Sequence, residues 1–556
     1  MAYDGGYYLI TEPLLHSGIN KHSAVLDRPF SDVTLRAVNA IQETPWRVNG
    51  WVLDLMRDAW VAGDLIGELP HFDPKPLPDR IPEDVWDGMS KEARSEWNKK
   101  RSDIHGDNAR QVSSRTAFLS QLSIAETLRN EDAIWFPHFL DFRGRIYPMC
   151  ADLHPQGNDI AKALLTFKEG KPLGVSGVRW LAIRLANTFG LDKLPLAERV
   201  EWAWKNTDDI CASAKDPFGH RWWTDADEPW QFLATCREWE MATALGERIA
   251  DFVSHLPVNV DGTANGLQHL SALGLDPVGA RATNMTSDPK RQDIYEEVAK
   301  VVRKLVSADS LNGIDEAIWW TGRVTRTTVK RAVMTTPYGV TNRGIRDQLV
   351  KDGHVNEVDK RERGSYADYM RDKISIALNE AVTAAREIMA YIQGVAKALA
   401  EANLPLEWVT PSGNTIRQSY LQLSRREVRT LAGRITLWEE SEEAGQSSKK
   451  NTLASAPNVV HSLDAAALVL SVCKMLDTVE APAFSMIHDS YGTHAADCEA
   501  LSRVLREVFV EMYRGDWLAE FEAYIRAYAP DVSLPPRPER GRFDIEEVLR
   551  AEYFFA

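Results

Sequence analysis

The chain has 556 residues, enough for three or four domain-sized units or one large multi-lobed enzyme with an ample core. With 44% apolar and 26% charged residues, 18 Trp and 15 Tyr, its composition excludes disorder as the default reading. A formal charge of -15 argues against a passive nucleic-acid coat, because neutralising phosphates takes clustered Lys and Arg.

Distribution qualifies that sum. Arg323, Arg326, Lys330, Arg331, Arg343 and Arg346 fall in residues 323–346 without one acidic residue, a local positive site suited to an enzyme that handles polyanions. Cys150, Cys211, Cys236, Cys473 and Cys498 lie far apart, with no CxxC and no zinc-like spacing, and read as reduced thiols. The N-terminus lacks the basic-then-apolar order of a signal peptide, and no apolar run approaches the ~20 residues of a membrane span. The expectation is a cytoplasmic protein without a membrane segment.

Residues 31–66 carry helical periodicity through Val33, Leu35, Val38, Ile41, Val48, Val52, Leu53 and Leu55. A Pro-rich, charged stretch then reads as a loop leading into an exposed helix, and Val112 to Arg129 reads as an amphipathic helix. "IWFPHFLDFRGRIYPMC" switches to strand near Ile134, with Arg143 and Arg145 on one side of it, placed to reach one phosphate backbone. The longest helix signal is the Ala-rich 374–403; Ser412-Gly413 then reads as a hairpin turn and residues 439–450 as an exposed polar loop. The fold class is α+β, helix-rich, with strands in about 134–150, 256–262 and 483–493.

Two carboxylates stand where buried strand is expected. In "LPVNVDGTANGLQHLSAL", Val258 and Val260 alternate as in a strand ending at Asp261, followed by Gly262 and a helical run. One reading is a strand-to-helix turn with Asp261 or Thr263 as N-cap. The other is a metal carboxylate at a rigid strand terminus, with Gly262 letting its carbonyl approach the same ion. "APAFSMIHDSYGTHAAD" repeats the pattern: an apolar strand, His488, Asp489, then "DSYGT" as a small-residue turn. Two such aspartates facing each other in one sheet would hold a pair of Mg2+ ions for in-line phosphoryl or nucleotidyl transfer, since Mg2+ takes hard oxygen ligands and keeps substrate phosphates.

In "RVTRTTVKRAVMTTPYG", Arg326 and Lys330 share a helix face and would grip a triphosphate, while Val329, Val333 and Met334 bury the other side. Pro337 ends that helix near Thr335 and sets Tyr338 at a bend. The alternative is a solvated basic face; the lack of an acidic partner in the segment speaks against it. His461, in "NVVHSLDAAALVL", precedes a long apolar helix, where a lone His is more often structural than catalytic.

In this order the segments resemble the single-subunit DNA-dependent RNA polymerases of T-odd phages and mitochondria. "DFRGRIYP" resembles that family's palm-entry motif, "DGTANGLQH" its motif A, "RTTVKRAVMTTPYG" its motif B and "IHDSYGTH" its motif C; "PNVVHS" and the terminal "YFFA" match further segments. The resemblance covers nearly the whole chain and implies a right-hand polymerase fold of palm, fingers and thumb. It implies a DNA template, an RNA product, NTP substrates and two Mg2+ ions. Asp261 and Asp489 then match metal-binding aspartates, with Gly262 supplying a carbonyl, and Lys330 matches a lysine that assists the leaving pyrophosphate. Arg326 and Lys215 match phosphate contacts; Tyr338 and His461 match residues that sense the 2′-hydroxyl and base-pair position. Gly266 falls where related DNA polymerases carry a bulky Glu, and His488 matches a residue near the RNA 3′ end. Arg425, Arg426, Arg429 and Arg434 lie in a specificity-loop-like region, about 421–457.

The implied division is a 1–30 remnant, thumb 31–130, palm 131–290 and 462–556, and fingers 291–461. The family's N-terminal promoter domain has no match here, which implies a truncated chain, a minimal enzyme on single-stranded or pre-melted DNA, or a protein partner for promoter recognition. The alternatives are a primase or DNA polymerase of the same superfamily, or a catalytically silent DNA-binding subunit.

Overall fold

In the computed structural model, residues 4–5, 12–16, 30–67, 69–431 and 433–555 are described. The expected 1–30 remnant lies mostly outside them, as does Ala556 of "YFFA". The described chain is α+β and helix-rich, in line with its sequence.

Residues 31–66 divide into helices Asp32–Glu43 and Gly50–Ala62 around the strand Trp46–Val48. Ser31 and Asn49 cap these helices by accepting from the Thr34 and Val52 amides. The strand escaped the sequence reading because alternation over three residues is too short to register between two helices. The longest helix is Lys91–Leu128, at 38 residues, rather than 374–403. It buries Phe118, Gln121 and Ala125 near its end, so no apolar stripe marks the part before Val112. The 374–403 stretch belongs to two helices, Arg363–Ala381 and Thr383–Glu401, broken at the buried Val382.

Strands His138–Asp141 and Ile146–Pro148 pair, and Leu406–Val409 pairs with Thr415–Gln418 around Ser412-Gly413, as expected. The expected 439–450 loop is instead the end of a long ribbon, Leu421–Thr430 against Gly433–Gln446, followed by a helix from Ser448. Water reaches both faces of this ribbon, so its sequence needs no apolar alternation.

Helix Ser448–Thr478 runs through the core with Pro457 inside it. It corrects the expectation that no stretch approaches a membrane span: an 18-residue window passes by length and composition, and 78% of that window is buried in the protein. A helix packed on all sides is apolar all round, in a core as in a bilayer.

Helices Gly174–Phe189, Leu196–Lys205 and Pro229–Thr243 gather an aromatic cluster in which Phe189, Trp202, Trp222 and Phe232 meet, beside the fully buried Trp223, Trp230 and Trp239. Next to this layer lies a three-stranded antiparallel sheet in the order Pro257–Asp261, Ser490–His494, Ser485–Ile487. Val258, Val260, Met486 and Tyr491 anchor it in the core. Helix Asn265–Gly274, buried along its whole length, leaves from the end of the first strand. Cysteines 236, 473 and 498 are buried, and all five in the chain are free.

Candidate active site

The sheet register brings both aspartates to one edge. Asp261 ends its strand opposite Ser490, and the Gly262 amide donates to the Asp489 carbonyl at 3.2 Å. Asp489 does not precede a turn through "DSYGT", as the sequence suggested. It lies in the turn His488-Asp489, and "SYGTH" is strand. His488 has φ +45°, the first-position geometry that matches a hairpin's twist and that glycine normally supplies. Its ring meets Tyr147 edge-on at 4.6 Å, a contact that holds the turn. Burial, then Arg145 and Arg143, pushes its pKa down to about 3, so the ring is neutral.

Both carboxylates line an open cleft of about 680 Å³. Among the described residues no cation pairs with either; Arg145 and Arg326, whose charges lie nearby, are committed to Asp464 and Asp293. Although exposed at the cleft, Asp489 has its pKa pushed up to about 6 by loss of solvation, then by Asp464 and Asp261. Two unpaired carboxylates that repel each other form a site that a cation would relieve. No group of three or more His, Cys, Asp or Glu suited to a metal occurs among the described residues. The donors at this edge are the Asp261 and Asp489 carboxylates and the Gly262 carbonyl, hard oxygens that fit Mg2+ better than zinc.

The opposite wall is cationic. Helix Arg326–Thr335 opens with a capping box between Thr325 and Thr328 and ends just before Pro337, as expected. Arg326 and Lys330, four residues apart, both line the cleft. The expectation that these basic residues lack acidic partners is corrected. Arg323, Arg326, Arg331, Arg343 and Arg346 pair with Glu357, Asp293, Asp352, Asp347 and Asp368, all outside the segment. Lys330 has no ion pair among the described residues. Asp293 caps helix Ile294–Leu311 by accepting from the Tyr295 and Glu296 amides and takes Arg326 Nε at 2.5 Å. One carboxylate thus orients both the helix and the arginine.

Lys193 and Arg291 complete this wall, and Asp192, Asp227 and Glu228 also line the cleft. Lys215, which the resemblance placed at the phosphates, ends helix Thr207–Lys215 on an exposed surface and does not line the cleft. Gly190, at φ +103°, closes helix Gly174–Phe189 and turns the chain toward Lys193. Arg199, fully buried, secures that loop by donating to the Asp192 and Leu194 carbonyls and to Asn187 Oδ1. The Gly190 helix stop was the signal available in sequence; the direction of the loop was not.

The Tyr338 and His461 rings meet with centroids 4.8 Å apart, tilted by 30°. His461 lies in the middle of helix Ser448–Thr478 rather than ahead of it. Burial first, then Arg145 and Arg143, pushes its pKa down to about 2, so it is neutral. Its Nδ1 accepts from Arg143 Nη1 at 2.7 Å, which places the ring proton on Nε2. Tyr338 is 37% exposed, yet its hydroxyl lies 3.4 Å from where a Gly266 side chain would begin, and burial pushes its pKa up to about 12. A Cβ on Gly266 would also come within 2.9 Å of Pro337.

Arg143 and Arg145 lie in the loop between two strands, not within one, and Gly144 at φ +85° makes the bend. Arg143 pairs with Asp141 at 2.5 Å, and Arg145 with the buried Asp464 at 2.7 Å. Asn265 donates to the other Asp464 oxygen at 2.6 Å, tying the helix after Asp261 to the same carboxylate. Both arginines thus serve carboxylates of this chain. Arg429 and Arg434 face each other at the exposed tip of the ribbon.

A family model for DNA-dependent RNA polymerase matches residues 171–532. The mitochondrial DNA-directed RNA polymerase 1 of Nicotiana sylvestris is 35% identical over 573 residues, covering 100% of this chain and 56% of that protein. The chloroplastic/mitochondrial DNA-directed RNA polymerase 2B of Nicotiana tabacum is 36% identical over 539 residues, covering 93% of this chain and 51% of that one. The chain thus spans about half the length of these relatives, whose names place them in organelles. The POL domain of Pol1 from M. smegmatis, in complex with DNA primer-template and dNTP, aligns with a TM-score of 0.40 and 13% identity over 89% of this chain and 69% of that one, a likeness too distant to carry an argument. With the family match and a third of its residues identical to full-length polymerases, this chain belongs to the DNA-dependent RNA polymerase family.

Proposed function

We propose that the chain adds ribonucleotides from NTPs to an RNA 3′-hydroxyl under the direction of a DNA template. The observation that carries this reading is the cleft itself: unpaired Asp261 and Asp489 on one wall, Lys330 and Arg326 on the other. In this reading 31–130 is the thumb, 131–290 with 462–556 the palm, and 291–461 the fingers.

Asp261, Asp489 and the Gly262 carbonyl would hold two Mg2+ ions, which when bound lower the pKa of the attacking hydroxyl and neutralise charge at the reacting phosphate. Lys330, which has no ion pair among the described residues, holds a proton at Nζ where pyrophosphate leaves, and Arg326, aimed by Asp293, binds the phosphates. Lys193 takes the phosphate role expected of Lys215. The protonated Tyr338 hydroxyl meets the sugar, and Gly266 keeps the space beside it free. The neutral His461 supports the Tyr338 ring. The ribbon with Arg425, Arg426, Arg429 and Arg434 contacts nucleic acid.

The test is extension of a primed template by the purified chain with NTPs or dNTPs. Ribonucleotide addition is expected. Strong dNTP preference would instead assign a DNA polymerase, and binding without addition of either would assign a silent binding subunit. Transcription on single-stranded, pre-melted and duplex promoter DNA then shows whether a partner must open the duplex.

A further inference from the structure

The cationic wall contains one group that the reaction above does not use. Arg291 lies in the segment leading to helix Ile294–Leu311 and lines the cleft with Arg326, Lys330 and Lys193. Its Nη1 is buried and has no hydrogen-bond partner among the described residues. The carboxylates beside it are already engaged: Asp293 holds Arg326 and the helix cap, and Asp192 pairs with Lys193. A guanidinium keeps its charge in any protein setting, and a buried Nη1 without an acceptor is unfavourable. Such a group is stabilised when an anion arrives.

Its place along the cleft says which anion. Asp489 feels Asp464, Asp261 and Arg145, whereas Arg291 feels Asp192, Asp293, Arg326 and Tyr553. Tyr295, in the first turn of helix Ile294–Leu311, responds to Arg326, Asp293 and Arg291 and also to Asp489. Arg291 is two residues from Asp293, which holds Arg326, so it stands with the phosphate-binding arginine on the cationic wall. We infer that Arg291 binds the distal phosphates of the incoming nucleoside triphosphate, donating through the free edge of its guanidinium. The inference rests on the polymerase reading for the identity of the nucleotide, but not for the presence of a polyphosphate site. A single backbone phosphate would not need Arg291 in addition to Arg326, Lys330 and Lys193.

Binding of inorganic tripolyphosphate with Mg2+ to the full chain, measured by calorimetry, tests this without catalysis. Arg291→Gln is expected to weaken binding about 10- to 100-fold, the worth of one charge-assisted hydrogen bond, and Arg291→Lys by less. A nucleoside monophosphate, lacking distal phosphates, should bind wild type and Arg291→Gln alike. In primer extension, Arg291→Gln should raise KM for NTP by a similar factor and leave kcat within about threefold. Arg291→Lys keeps the charge and covers the case in which the Gln variant fails to fold. Equal tripolyphosphate affinity in wild type and both variants would overturn the inference, as would no binding by wild type or an equal loss for the monophosphate. Wild type that binds tripolyphosphate through Arg291 yet extends no primer would remove the polymerase reading and leave this site standing.

Discussion

The hairpin Ser485–His494 and the ribbon Leu421–Gln446 are both antiparallel pairs, and they occupy opposite environments. The first has Met486, Tyr491, Thr493 and His494 at 3% exposure or less, whereas Ile435 and Trp438 on the ribbon are 49% and 63% exposed. In the buried hairpin a one-residue slip would turn its core side chains outward, so packing fixes the register and with it the position of Asp489. On the ribbon the ladder alone sets the register, and the faces remain free to meet something else. Chemistry is placed where packing decides geometry, and adaptable contact where it does not.

Asp489→Asn attacks the first half of that contrast directly. Nucleotide addition should fall about 1,000-fold or more, since metal-held charge stabilisation is worth several kcal/mol, while melting temperature and DNA binding hold. Retained single-nucleotide addition would sink the two-carboxylate site.

Arg145→Met leaves Asp464 buried without its cation and should cost about 3–5 kcal/mol in denaturant unfolding. Adding Asp464→Leu should restore most of that loss; if it does not, the pair is not what holds the loop to the core.

A third expectation concerns acid. Burial, then Arg145, pushes the pKa of His269 down to about 3, so below pH 6.5 the unfolded chain takes a proton that the folded chain refuses. His269 alone should remove about 1.4 kcal/mol of stability per pH unit as pH drops below 6.5, beside like contributions from His461 and His488, and its share of the loss should stop near its folded value. His269→Gln should reduce the slope of stability against pH over that window by its own share, leaving that of His461 and His488; an unchanged slope would assign the acid lability elsewhere.

Gly266→Ala puts a Cβ 2.9 Å from Pro337 and should cost about 1–3 kcal/mol, read as a raised KM for NTP. An unchanged KM would show that Tyr338 can move aside.

The smallest structural effect should come from the ribbon. Arg429→Ser with Arg434→Ser should change stability by no more than about 0.5 kcal/mol. The slope of DNA affinity against salt should drop by about 0.9 for each duplex phosphate that the two arginines no longer neutralise. An unaltered slope would place the nucleic acid elsewhere.

Asp261, Lys330 and Tyr338 were legible because their signals are local: a strand that ends in a carboxylate, a four-residue helix spacing, a proline that stops a helix. Partners distant in sequence were not. Arg145 read as a phosphate contact because its counter-ion lies 319 residues away, and the basic segment read as unpaired because its carboxylates come from outside it. Lys193 and Arg291 carry no motif of their own; they count only once the fold points them into one cleft. The ribbon misled for a different reason, since a hairpin with water on both faces is written in the residues of a loop.

The tryptophans packed behind the sheet have a practical bearing. Trp202, Trp222, Trp223, Trp230 and Trp239 sit among the helices, and no tryptophan lines the cleft of Asp261 and Asp489. Intrinsic emission, to which these five of the 18 tryptophans contribute, will therefore change as that helical layer is lost and stay nearly flat as nucleotide enters. Trp438, standing out on the ribbon, is a fluorophore that should change colour if nucleic acid meets the ribbon as proposed.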